Sequence, residues 1–315
     1  MAGNLLVISD HEEDARLGQT ICQKTGVVYH FARTGEKVRA ALTDFPQTVV
    51  LWGADDPQMV QELGGIIAKM CSPGKVFAVT NSPLNENPHL FKTQIWGHHL
   101  LRRFEGAATE LYSRLVEASF SQYPFDLDLY FPKQTPVQRI MITRSTQKAA
   151  AVEAIQKVFA KQNVTSRLAA LVAQAVDEAV MNAVFDAPVG PDGKPTKRLL
   201  PRDADFELLT EREFVRLEVA CCEQYVGVAV SDGFGSLKKE IVLGFLGKDY
   251  HEQTYIPKAK DQGAGLGLNG LLSAGLSMVF ISKPGAKTEV IVFFPRAENY
   301  KSFKTGFRFV SIIAE

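Results

Sequence analysis

Five short apolar runs alternate with amphipathic stretches over the first 120 or so residues, and this rhythm narrows the fold more than any other feature. The runs are residues 5–8, 27–31, 48–52, 76–80 and 99–101. Residues 12–24, 35–44, 57–70, 86–94 and 105–119 lie between them and read as helices. Strands separated by helices predict βαβ units, here an α/β doubly wound parallel five-stranded sheet with helices on both faces. The run Thr48-Val-Val-Leu-Trp52 is apolar almost throughout, as expected of a strand covered on both sides.

Residues 120–136 break the rhythm. Pro124, Pro132 and Pro136 push the residues before them toward extended or turn geometry. The expected organisation is a first domain over 1–121, a linker over 122–136 and a second domain over 137–315. Phe120, Tyr123, Phe125, Tyr130 and Phe131 suggest a linker packed on a surface instead of a free tether. In the second half, 139–143 reads as a strand, and 147–162 and 166–186 as helices separated at Asn163. Residues 188–204 read as an exposed loop. Further strands are expected at 206–209, 214–222, 225–230, 278–282 and 288–294, with a helix at 266–276. Residues 236–262 show no clear period. Helices beside meandering strands predict an α+β sandwich. The tail, 298–315, ends in the apolar run 307–313 and is expected to extend the second domain.

Acidic and basic side chains balance at 35 each, with no basic block. This argues against bulk electrostatic binding of nucleic acid or anionic membrane. No apolar run reads as long enough to span a bilayer. The chain enters the first strand without a basic flank or cleavage site, so no signal peptide is expected. Cys22, Cys71, Cys221 and Cys222 lack CxxC spacing and read as reduced thiols of a cytoplasmic protein.

Four segments carry chemistry. Glu178 and Asn182 are four apart in a helix, so both project from one face. The Asn182 carbonyl suits Mg2+, a hard ion that takes oxygen ligands, and Glu178 can orient or deprotonate a hydroxyl one turn away. Asp232 follows a strand and precedes Gly233 and Gly235. Its carboxylate can accept hydrogen bonds from a ligand, and the glycines would let backbone approach that ligand closely. Gly263-Ala-Gly-Leu-Gly-Leu268 opens a helix, where backbone amides can cradle phosphate, although no Gly-Lys-Ser/Thr follows. Gly285-Ala-Lys-Thr288 opens the last strand. Taken singly, these are as well read as a solvated helix pair, an Asp-Gly turn and a glycine-rich loop.

Together, in this order and setting, they resemble the N, G1 and G2 boxes of the histidine-kinase-like (GHKL) ATPase family, over about residues 138–296. The resemblance implies ATP or ADP with Mg2+. It places Asp232, Gly233, Gly235, Gly263, Gly265, Leu266, Gly267, Leu268 and Thr288 around the nucleotide, Asn182 on Mg2+, and Glu178 as the catalytic carboxylate. Residues 140–167 and 174–187 are most similar to the anti-sigma-factor serine kinase branch, which acts directly on a partner protein. None of the six histidines (His11, His30, His89, His98, His99, His251) lies in 120–175. That argues against a conventional histidine autokinase. Phe185 and Asp186 depart from the family, since they set an aromatic and a negative charge beside the expected phosphates. Lys258 and Lys260 lie at the lid position.

Residues 4–120 resemble a response-regulator receiver. Ser9-Asp10 stands at the acidic pair, Thr80 at the switch position and Arg102-Arg-Phe104 at the Lys-Pro-Phe signature. Leu51-Trp52-Gly53 has no Asp where the phosphoacceptor belongs, and Asp55 and Asp56 come later, on a loop. A pseudo-receiver is expected. The whole reads as an ATP- and Mg2+-binding signalling regulator that phosphorylates or sequesters a partner protein, as a serine/threonine kinase or weak ATPase. The alternative is a non-catalytic nucleotide-binding scaffold, and homodimerisation stays open.

Overall fold

The computed structural model describes residues 3–162, 164–190, 192–246, 271–272, 274–297 and 299–314. It is an α/β protein that divides into two compact units, Met1–Pro124 with Gly306–Ile313, and Phe125–Thr305 with Ala314–Glu315.

In the first unit, β1 (Asn4–Ile8), β2 (Val28–Phe31), β3 (Thr48–Gly53), β4 (Val76–Thr80) and β5 (His98–Leu101) pair in parallel in the order β2-β1-β3-β4-β5. Helices α1 (Glu12–Thr25), α2 (Gly35–Asp44), α3 (Pro57–Met70), α4 (Pro88–Thr93) and α5 (Ala107–Ala118) connect and follow them. Local signals set their ends. Glu12, Glu13 and Asp14 face the positive end of α1, and Gly26 stops it at φ 73° with its amide on the Cys22 carbonyl. Asp56 caps α3 by accepting from the Gln58 amide, with Pro57 in the first turn.

This sheet is not purely parallel. β11 (Phe309–Ala314), from the tail, pairs antiparallel with β5, setting Phe309 opposite Leu100 and Ser311 opposite His98. The apolar run 307–313 therefore belongs to the first unit and does not extend the second. Burial of Phe307, Phe309, Val310 and Ile312 drives the pairing. His98 fixes the register. Its Nδ1 meets Ser311 Oγ at 2.8 Å, and its Nε2 meets the Gly74 carbonyl at 3.0 Å.

The second unit is built on an antiparallel sheet in the order β9-β10-β8-β7-β6. Its strands are β6 (Val137–Ile142), β7 (Val215–Cys221), β8 (Tyr225–Asp232), β9 (Ser277–Lys283) and β10 (Lys287–Pro295). Helices α6 (Lys148–Lys161) and α7 (Ser166–Met181) pack together, and α7 lies on β8 and β10. Phe159 of α6 meets Phe294 of β10 edge-on at 5.7 Å, so the face holding Phe294 and its partner Val226 is the helix side. By alternation that face also carries Val228, Val230, Asp232 and Thr288. On the other face, Phe131 lies against Gly227, and the Tyr225 hydroxyl donates to the Tyr130 carbonyl at 2.6 Å. The expected linker is thus packed on the sheet from residue 125 onward.

Further sequence expectations change. Residues 206–209 form no strand, only a bridge between Arg144 and Glu207. Here Arg144 forks onto Asp205 at 2.7 and 2.9 Å, so side chains take over from a ladder. The aperiodic segment 236–262 contains a helix, α8 (Lys239–Leu246), that buries Val242, Leu243 and Leu246. A second short helix, α9 (Tyr300–Thr305), precedes the tail strand. Finally, one helix, Ser166–Asp186, is long and apolar enough to cross a membrane, contrary to the sequence reading, and it is the one such helix among the described residues. Its apolar window is 56% buried, and Val172, Val176 and Val180 pack into the core, as in the central helix of a folded domain.

Candidate functional site

The candidate site starts from the end of α7. After Met181 the helix loosens into a π turn over Asn182–Asp186, with the Ala187 amide donating to the Asn182 carbonyl at 2.8 Å. Such five-residue hydrogen bonds are rare and frequently mark functional positions. The turn directs Ala183, Val184 and Phe185 inward and leaves Asn182 and Asp186 part-exposed.

Glu178 lies one turn before Asn182. Its Oε1 is buried and accepts no hydrogen bond from the described residues. Burial pushes its pKa up, with Asp177 and Asp186 adding to the rise, while Arg202 and Lys148 oppose it. Lys148 pairs with Asp177 at 3.1 Å. A buried, unpartnered carboxylate oxygen is costly, and such groups are few in folded proteins.

Phe185, expected beside the phosphates, turns inward. It is 1% exposed and packs edge-on against Phe206 at 5.5 Å. Asp186 is not a bare negative charge either. Arg202 reaches it at 3.0 Å and Arg198 at 3.7 Å. The loop expected at 188–204 thus returns positive charge to the end of the π turn. No period or motif in the sequence signals Arg198, Arg202 or Lys148. Their role comes from a loop and a helix start folding back on α7.

Asp232 ends β8 on the helix side of the sheet. Its Oδ1 accepts from the Phe234 amide at 2.8 Å, which closes the turn. Burial pushes its carboxyl up to about 6. The Phe234 and Gly235 amides, Thr288 and Arg212 hold it back from rising further. Thr288 stands opposite Asp232 on β10. Its hydroxyl is near enough to favour the ionised carboxylate but is buried with no well-formed hydrogen bond among the described residues. The glycines have a structural reason of their own. A Cβ on Gly233 would come within 2.7 Å of the Arg212 carbonyl, and Gly235 adopts φ 60° against the Lys283 carbonyl. Backbone of the same unit fills the space beside both.

Glu178 and Asn182 therefore share one helix face, and Asp232 and Thr288 share one sheet face on the side where that helix packs. Gly263, Gly265, Leu266, Gly267 and Leu268 lie outside the described residues, as do Lys258 and Lys260.

In the first unit Thr80 is fully buried, donates to the Ser82 carbonyl at 2.6 Å and meets His99 Nε2 at 2.8 Å. Burial holds the His99 pKa down at about 3, so its ring is neutral and Nε2–H donates to Thr80. Gly53, at the position expected to lack an acceptor, has Ser9 against it, and Asp10 turns out to Arg33 at 3.5 Å. Among the described residues no group of three or more His, Cys, Asp or Glu side chains is gathered to hold a metal ion. No protein-family model matches the chain, and no curated protein does.

Proposed function

We propose that the second unit binds ATP with Mg2+ and regulates a partner protein, by phosphorylating or sequestering it. The observation that carries this reading is the half-buried Glu178 carboxylate, with one buried oxygen that has no partner among the described residues, one turn from Asn182 at a π turn. A carboxylate with a buried, unpartnered oxygen and a raised pKa is a candidate for ligand binding or proton transfer. Asn182 is the oxygen ligand available to Mg2+, which when bound offsets phosphate charge. Arg202 and Arg198 offer further positive charge at the same end, and Asp232 an acceptor at the other. The raised pKa of Glu178 suits it to receive the hydroxyl proton of a partner's serine or threonine as the phosphoryl group leaves ADP.

Titration calorimetry with wild type and three variants tests this. Wild type is expected to bind ATP in the micromolar class with Mg2+. Asp232→Asn should weaken binding about tenfold to a hundredfold, as for a lost charge-assisted hydrogen bond. Asn182→Ala should remove the Mg2+ dependence. Glu178→Ala should bind nucleotide as wild type does and transfer no labelled phosphate to a co-purified partner. Nucleotide binding without transfer by wild type would leave the scaffold reading. Absence of nucleotide binding by wild type would overturn both.

A further inference from the structure

The strand ends of the first unit hold a closed set of charges that uses none of the second unit's chemistry. The Arg102 side chain, 2% exposed, follows β5 and reaches Asp14 of α1, whose side chain is 0% exposed. Arg102 Nε and Nη2 each donate at 2.9 Å to the two Asp14 oxygens, a fork that arginine alone among side chains presents. Nη2 also donates to Asp55 Oδ2 at 2.8 Å, and Nη1 to Asn81 Oδ1 at 2.6 Å. Asn81 in turn donates its amide to Asp55 Oδ1 at 2.6 Å, and Ser9 donates to Asp14 Oδ2 at 2.6 Å. His11 stands 3.5 Å from Asp55.

We propose that Arg102 is the resident cation of this pocket: its guanidinium occupies the place between Asp14 and Asp55 that a divalent metal ion would otherwise take, and ties the loops after β3 and β4 to α1. All four carboxylate oxygens of the pair already accept hydrogen bonds. A hard divalent ion needs about six oxygen ligands in its own shell. It could enter only by expelling the guanidinium, which would break the fork to Asp14 and the bond to Asp55. The other acids at the strand ends are engaged elsewhere, Asp10 with Arg33 and Asp56 at the cap of α3. A side chain at Gly53 would collide with Ser9 Oγ and press on Asp14 Oδ2. The backbone holds Arg102 in place, since its amide donates to the Thr80 carbonyl at 2.8 Å. The unit therefore keeps one strand-end arrangement without metal or phosphate.

The test uses the full chain without nucleotide, with Mn2+ as probe and the electron paramagnetic resonance of free Mn2+ as readout. Wild type should take up no Mn2+ at millimolar concentration. Arg102→Ala should gain one site that saturates in the submillimolar range, and adding Asp14→Asn should abolish it. Asn182→Ala in the same background should leave the gained site unchanged, which separates this result from any property of the second unit. If Arg102→Ala does not fold, Arg102→Gln replaces it. A folded variant that gains no site overturns the proposal, as does a wild-type site lost in Asp14→Asn. Should neither variant fold, hydrogen exchange of wild type decides. Amides of 53–56 and 80–82 unchanged by Mg2+ uphold the proposal, and a Mg2+-induced change in them overturns it.

Discussion

Asp232 is held in an environment that opposes its own charge. Its carboxyl is raised from an ordinary 3.8 to about 6, chiefly by burial. Between those values the native state keeps a proton that the unfolded chain releases. Its contribution to stability is therefore fully present below the unfolded value and is lost as pH rises through 6. At neutral pH the ionised carboxylate costs roughly 3 kcal/mol, from about two pKa units at 1.36 kcal/mol each. Asp232→Asn keeps an oxygen for the Phe234 amide and removes the charge. It is expected to raise the melting temperature of the nucleotide-free protein at pH 7, with the gain vanishing below about pH 4. A variant less stable than wild type at pH 7 would show that the carboxylate is needed by the fold itself. Under the proposed function the same variant binds ATP less well, the usual exchange of stability for a site. The sequence brought Asp232 to notice through its place between a strand and two glycines. It could not show that Arg212 and Lys283 fill the space beside those glycines, because both contacts are made by chain distant in sequence.

At the scale of elements, what was legible depended on local pattern. The first-unit strands stand out because apolar runs bounded by turn signals are read from neighbours alone. The Glu178–Asn182 pair is equally local. The π turn was not legible, since one extra residue in a helical turn leaves the apolar spacing nearly unchanged. Residues 206–209 read as a strand because their apolar run resembles one, whereas the chain makes only a bridge at Glu207. Packing of the 125–131 segment makes a further prediction. Gly227 lies on β8 where a Cβ would stand 2.9 Å from the Phe131 ring and 3.0 Å from Phe293. Phe131 is 2% exposed, and Phe293 is fully buried, so neither ring has open space to yield into. Gly227→Ala gains roughly 0.4–1 kcal/mol through the unfolded chain. It loses about 1–3 kcal/mol by overpacking. Net destabilisation is expected in urea unfolding, with faster hydrogen exchange across 125–131. A stabilised variant would mean that this segment shifts readily on the sheet.

For the molecule as a whole, the first unit is completed by the last strand of the chain. Along the sequence alone the tail reads as part of the domain that precedes it. Only the pairing of β11 with β5 reveals otherwise, through contacts such as His98 with Ser311, 213 positions apart. Removing residues 306–315 should therefore damage the first unit, although the cut lies beyond the second. It strips Phe307, Phe309, Val310 and Ile312 from the core. At roughly 1.5–3 kcal/mol for each large apolar side chain, an upper bound, the loss is several kcal/mol, comparable with the whole stability of a domain. It also takes the Arg308 carbonyl from the Tyr112 hydroxyl and from the Leu101 amide, and leaves β5 with an unpaired edge. Hydrogen exchange read by mass spectrometry distinguishes the outcomes. Protection should fall across residues 98–101 and 111–116, while amides of β7 and β8, which pair within the second unit, keep theirs. Unchanged protection of β5 in the truncated chain would show that the five parallel strands stand alone and that the tail strand is an accessory.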